Sequence, residues 1–203
     1  STVELDGTWY QMPAESAVAK WIATSCDGFQ FAPKMHRRVT HMARLKPESL
    51  DSVTFFLKRL EPMERAGKLG PILVQLPPNL KRDDARLASF LEAIPHRPGL
   101  RWAVEFRNES WNAEEVEEAL RKFGVAWVGQ DTDAADAQRR HTADFIYIRL
   151  RKSDYPFELL REWARYFRQK MNEGADVFVY CKHEDAEAPW EWADILQKLI
   201  AAT

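Results

Sequence analysis

Between Arg101 and Gln130 the sequence spells out a complete strand–helix–strand unit, and no other stretch narrows the possible folds as sharply. From Trp102 to Arg107 the residues alternate with period two, the signature of a strand with two unlike faces. Trp102, Val104 and Phe106 form an apolar face; Ala103, Glu105 and Arg107 form the other, with opposite charges on one side. Asn112 is predicted to cap a helix, with Glu115 three residues on as in a capping box. Val116, Leu120 and Phe123 give that helix its apolar stripe, Gly124 stops it, and Val125 to Gln130 follows as a second strand. Strands joined through a helix run parallel, and the charged face between them must meet something polar.

The same rhythm runs through the chain. Strands are predicted at Val3–Tyr10, Phe29–Lys34, Ile72–Leu76, Phe145–Leu150 and Val177–Cys181. Helices are predicted after Pro13 (Val18, Trp21 and Ile22 inward), from Pro47 until Pro62 breaks it, and from Asp83 or Asp84 through Ile94. Two more carry Leu160, Trp163 and Phe167, then Trp192, Ile195, Leu196 and Leu199. With no linker or low-complexity run, residues 1–203 read as one α/β domain with a parallel sheet. A barrel is favoured over a doubly wound sheet. Most strands keep one partly polar face, which a lumen accommodates and a sheet covered on both faces does not. No Gly-rich phosphate turn follows the early strands either, as a dinucleotide-binding sheet would usually show, and no cofactor is expected.

Composition removes whole function classes. A net charge of −2 and a pI near 6.2 give no whole-molecule pull toward nucleic acid or an anionic membrane, so such affinity would need a local patch. No apolar run approaches the roughly 18 residues that cross a bilayer. The chain begins at Ser1 without a methionine, which is compatible with a removed leader. Two cysteines, Cys26 and Cys181, make neither a disulfide framework nor a metal motif, and a reducing cytoplasm is the expected home.

Assigning each strand's aliphatic face to the helices leaves an inward list of Glu4, Asp6, Gln30, Lys34, Gln75, Glu105, Arg107, Tyr147, Arg149, Tyr180, Asp131 and Lys182. Barrel interiors are ordinarily filled by Val, Ile and Leu, so these side chains must pair with one another or with a ligand. A self-satisfied ion network is the bland alternative to a site. Six basic residues, Lys34, His36, Arg37, Arg38, His41 and Arg44, fall within eleven positions after the second strand. Lys34 and His41, with Arg107 and Arg149, suggest a clamp for a carboxylate or phosphate, extended by Gln75 and Lys182. The leading expectation is an enzyme acting on a small anionic substrate, with Glu105 as general base or acid and His41 or Asp131 as second proton-transfer group. The rival is a non-catalytic module that holds an anionic metabolite or a nucleic-acid end; a catalyst needs a carboxylate open to the ligand, a binder does not. A divalent ion among Glu105, Asp131, His41 and Asp6 is opposed by the nearby cations, so no metal is expected. Cys181 is expected to face the helices, and Trp111 and Trp190 read equally as stacking surfaces or core.

Six segments together resemble a known family: 3–10 (Val-Glu-Leu-Asp-Gly-Thr-Trp-Tyr), 31–41, 70–78 (Gly-Pro-Ile-Leu-Val-Gln-Leu-Pro-Pro), 103–111 (Ala-Val-Glu-Phe-Arg-Asn-Glu-Ser-Trp), 147–150 and 179–185. The chain resembles the YecE-like family, also called domain of unknown function 72, from Val3 to about Leu199. The resemblance implies a TIM-barrel-like fold and no established reaction. Two departures stand out. The family's opening Gly-Thr-Ser-Gly-Trp strand and helix have no counterpart here, and Lys182-His183 replaces a frequent Asn-Asn. Loss of a first strand would leave Val3–Trp9 and Val177–Cys181 as unpaired edges, so residues preceding Ser1 are expected in the natural polypeptide.

Overall fold

The computed structural model describes residues 1–181 and 189–202, and Lys182 lies outside them. Among the described residues the strands are β1 (Thr2–Leu5), β2 (Gln30–Pro33), β3 (Ile72–Gln75), β4 (Trp102–Glu105), β5 (Ala126–Asp131), β6 (Phe145–Leu150) and β7 (Asp176–Cys181). The helices are α1 (Gly7–Tyr10), α2 (Glu15–Thr24), α3 (Leu50–Arg65), α4 (Asp84–Ala93), α5 (Glu114–Lys122), α6 (Phe157–Asn172) and α7 (Pro189–Ala201). No helix among them is long and apolar enough to cross a membrane. The chain packs as two compact units, Ser1–Val125 and Ala126–Thr203.

In the first unit β1 runs parallel to β2, and β3 parallel to β4 with Gln75 opposite Glu105. Lys34 continues β2 into a parallel bridge with Leu73, and the Met35 N–H donates to the Leu73 carbonyl at 2.8 Å. Paired residues share a face, so Lys34, Leu73 and Ala103 lie on one side, and Gln75 and Glu105 lie on that side a step further along. Ile72, Val74, Trp102 and Val104 take the opposite side and are buried. Trp102 reaches the end of α4, where its indole N–H donates to the Pro95 carbonyl at 3.0 Å. The predicted division of this strand into an apolar face and a charged one therefore holds up to Glu105.

In the second unit β5, β6 and β7 are parallel, with Gln130 opposite Arg149 and Arg149 opposite Tyr180. The neighbouring row is Asp131, Leu150 and Cys181, which belongs to the other face. That face carries Ile146, Ile148 and Leu150, packed with Leu160, Trp163, Ala164 and Phe167 of α6 and Leu196 of α7. Gly129 is required here by close approach. A Cβ would stand 2.6 Å from Ile148 Cδ1 and 2.9 Å from the Gln138 carbonyl oxygen.

Four local expectations are corrected. The first strand stops at Leu5 rather than Tyr10, because the Thr8 hydroxyl lies 2.7 Å from both the Leu5 and Lys34 carbonyls and the chain coils into α1. Pro62 does not break α3. It sits in the last turn, where one lost N–H costs little and the Ala66 N–H still reaches the Pro62 carbonyl at 3.1 Å. Asn112 does not cap α5; Ala113 precedes it without a side-chain bond, and Asn108 instead caps a 3-10 turn at Glu109–Trp111. Strand β4 ends at Glu105, so Phe106 and Arg107 lie beyond it. By contrast, Asp83 caps α4 through the Arg86 N–H at 3.0 Å, and Gly124 ends α5 at φ 62.

Candidate functional site

The basic segment after β2 folds tightly. His36 is buried, and its Nδ1 accepts the Arg38 N–H at 3.2 Å. A π-helical turn then spans Arg38–Met42, and the chain leaves it through Arg44 and Leu45 at φ 53 and φ 62. Two successive side-chain-bearing residues in the left-handed region cost about 1–2 kcal/mol each. The arrangement persists because Leu45 is buried and its N–H donates to the Val39 carbonyl at 3.0 Å.

This turn brings His41 to residues that the first strand and α1 supply. The Trp9 indole N–H donates to His41 Nδ1 at 3.4 Å, with the rings edge to face at 4.9 Å. An indole N–H can only donate, so Nδ1 is an acceptor and the neutral ring carries its hydrogen on Nε2. Thr40 Oγ1 stands 2.9 Å from the same Nδ1. Burial, then the positive charges of Lys34, Arg107 and Arg44, hold the His41 pKa below its ordinary value. The imidazole is therefore neutral near pH 7 and presents an N–H. Lys34 forms an ion pair with Asp6 at 3.3 Å and lies 5.6 Å from the Trp9 ring centre. Arg107 is exposed, and Arg44 touches Asn79 at 3.5 Å. Neither arginine has a carboxylate partner among the described residues.

Glu105 is 0% exposed, and one of its oxygens accepts from Gln75 Nε2 at 2.9 Å. The predicted pairing of these two side chains on one face is present, and both belong to the first unit with Lys34, His41 and Arg107.

Asp131 and Arg149 belong to the second unit. Asp131 is the misassigned member of the inward list, since its strand row is the helix-facing one. At 1% exposed it accepts from the Tyr155 hydroxyl at 2.9 Å and the Ala137 N–H at 3.1 Å, with Lys152 Nζ at 3.4 Å. Those partners give it an anchoring task on the helix-facing side of the strand. Burial pushes the Tyr155 hydroxyl far above its ordinary range, which keeps it a donor. Arg149 is buried on the opposite face, the one that carries Tyr147 and Tyr180 with rings 4.9 Å apart.

Cys181 faces the helices as expected, and burial pushes its thiol up to about 11, too high for a ready nucleophile. Trp111 is core: buried, stacked on Phe106 at 4.8 Å and donating to the Leu80 carbonyl at 2.8 Å. Trp190 is exposed. Among the described residues no three His, Cys, Asp or Glu side chains converge to hold a metal ion. Sequence reasoning missed Trp9 as a site residue by placing it in a strand, although Gly7 in mid-strand was the signal against that. It also missed Tyr155, for which no local signal exists.

Parallel strands alternating with helices define an α/β fold. The chain belongs to the family described as protein of unknown function DUF72, whose model matches residues 1–203. It is 30% identical over 137 residues to UPF0759 protein YunF of Bacillus subtilis (strain 168), a match covering 62% of this chain and 46% of that protein. The match thus spans less than half the length of the curated relative. Crystal structures of a DUF72 family protein from Enterococcus faecalis V583 superpose with a TM-score of 0.81 at 18% and 19% identity. They cover 98% of this chain and 84% and 89% of those chains. A DUF72 family protein from Thermotoga maritima MSB8 gives 0.73 at 22% identity, covering 97% of this chain and 84% of that one. The fold is therefore the α/β, TIM-barrel-like one that the sequence resemblance implied.

Proposed function

We propose that the first unit binds a small anionic ligand, a phosphate or carboxylate, at the cluster of Lys34, His41, Arg44 and Arg107. The observation that carries the reading is that three cations bear on one neutral imidazole while Arg44 and Arg107 lack carboxylate partners among the described residues. Asp6 offsets the charge of Lys34 alone, so the two arginines are left to repel it and each other, and an anion relieves that repulsion. His41 adds a neutral N–H donor of the kind that grips an anion without further charge. Binding is better supported than general acid–base turnover: Asp131 is engaged by Tyr155 and Ala137 on the helix-facing side, and Glu105 is buried against Gln75. A cytoplasmic setting belongs to the same proposal, supported by the two free cysteines.

Calorimetry with inorganic phosphate tests the reading. Binding weakens as salt rises, because the attraction is Coulombic. Arg107→Ala and Arg44→Ala each weaken it about tenfold, as expected for one charge-assisted bond. Equal affinity in the parent and the double variant would remove both arginines from the site and sink the proposal.

A further inference from the structure

Tyr10 and Met42 are 66% and 69% exposed, among the most exposed large apolar side chains of the described residues. Tyr10 packs edge to face on Trp9 at 4.6 Å, Trp9 packs on His41 at 4.9 Å, and Met42 follows His41 on the π-helical turn. The aromatic chain Tyr10–Trp9–His41 therefore ends at the imidazole on which Lys34, Arg44 and Arg107 act. An inorganic anion would use the cations and leave the exposed ring and thioether in water. A ligand that joins an anionic group to a flat ring would use both.

We infer that the ligand class of this site is a phosphate carried on an aromatic base, with Tyr10 as stacking surface and Met42 as its apolar border. The inference rests on the anion-binding reading above and narrows it. The phosphate meets Lys34, Arg44 and Arg107 with the His41 N–H, and the base lies on the ring that α1 leaves exposed. Rings stack on Tyr without regard to base identity, because every base has a π face, so little discrimination among bases is expected. The same chemistry is offered by a free nucleoside monophosphate and by the 5′-phosphorylated end of a single strand.

Calorimetry on the full chain compares inorganic phosphate, ribose 5-phosphate, adenosine 5′-monophosphate and a 5′-phosphorylated strand of about ten nucleotides. The monophosphate binds about tenfold or more tighter than ribose 5-phosphate, the contribution of one stacked base. Tyr10→Ala abolishes that difference and leaves inorganic phosphate binding unchanged, while Tyr10→Phe preserves it. A strand that binds more tightly than the monophosphate assigns the source to a strand end; the reverse order assigns it to a free nucleotide. Equal affinity for the monophosphate and ribose 5-phosphate, with phosphate binding intact, overturns the base-binding inference alone. Failure of every phosphate compound to bind overturns the anion site with it.

Discussion

Arg44 shows how a single residue sets stability against function. Its φ of 53 lies where a side chain clashes with its own backbone, yet the guanidinium bears on His41. Glycine removes the clash and the charge together. Arg44→Gly is expected to raise the unfolding free energy by about 1 kcal/mol, read by urea denaturation, while phosphate affinity falls. A variant that loses stability would mean that the Arg44 side chain holds the turn more than it strains it. The neighbourhood of Lys34 and His41 was legible in the sequence, since Lys34 ends a strand and His41 stands seven residues on in a basic run. Asp131 was not, because both faces of Ala126–Asp131 are nearly apolar and alternation there does not distinguish helix side from the other. Only pairing with β6 settles the side on which Asp131 falls.

Elements with one strongly contrasted face were the legible ones. Phe145–Leu150 was read with both ends right, and the split of Trp102–Glu105 into apolar and polar sides was correct. Elements built by long-range bonds were not. The coil at Gly7–Tyr10 depends on a hydroxyl reaching Lys34, 26 residues away in sequence. The segment after β5 is likewise held from afar, by the Tyr155 hydroxyl and the Ala137 N–H on the two oxygens of Asp131. Tyr155→Phe leaves that buried carboxylate short of a donor and is expected to cost about 1–3 kcal/mol in urea denaturation. Unchanged stability would show that the Asp131 oxygen bonded to Tyr155 does not depend on that hydroxyl.

Across the whole molecule, two histidines tie folding to pH. The pKa values of His36 and His41 are both lowered, chiefly by burial, then by Arg38 and Arg37 for the first and by Lys34, Arg107 and Arg44 for the second. The unfolded chain takes up these protons near pH 6.5, and the folded chain resists until lower pH. Their contribution is therefore complete above 6.5 and is lost as pH falls from there toward the lowered folded values. The slope is at most about 1.4 kcal/mol per pH unit for each. Urea midpoints between about pH 7.5 and 5.5 should fall in the parent and stay flatter in a His36→Gln, His41→Gln double variant. Parallel curves would mean that neither histidine resists protonation in the folded state. The lowered carboxylates Asp84, Asp136 and Glu173 act in a separate, more acidic window. Trp9 adds an optical consequence. Of the chain's eight tryptophans, Trp102, Trp111, Trp127 and Trp163 are buried, while Trp9 bonds the His41 imidazole and faces Lys34. An imidazolium quenches indole emission where a neutral ring does not, so a proton arriving at His41 dims one fluorophore. The chain thus carries its own lamp beside His41, and a change in that residue's protonation can be followed by light without attaching a dye.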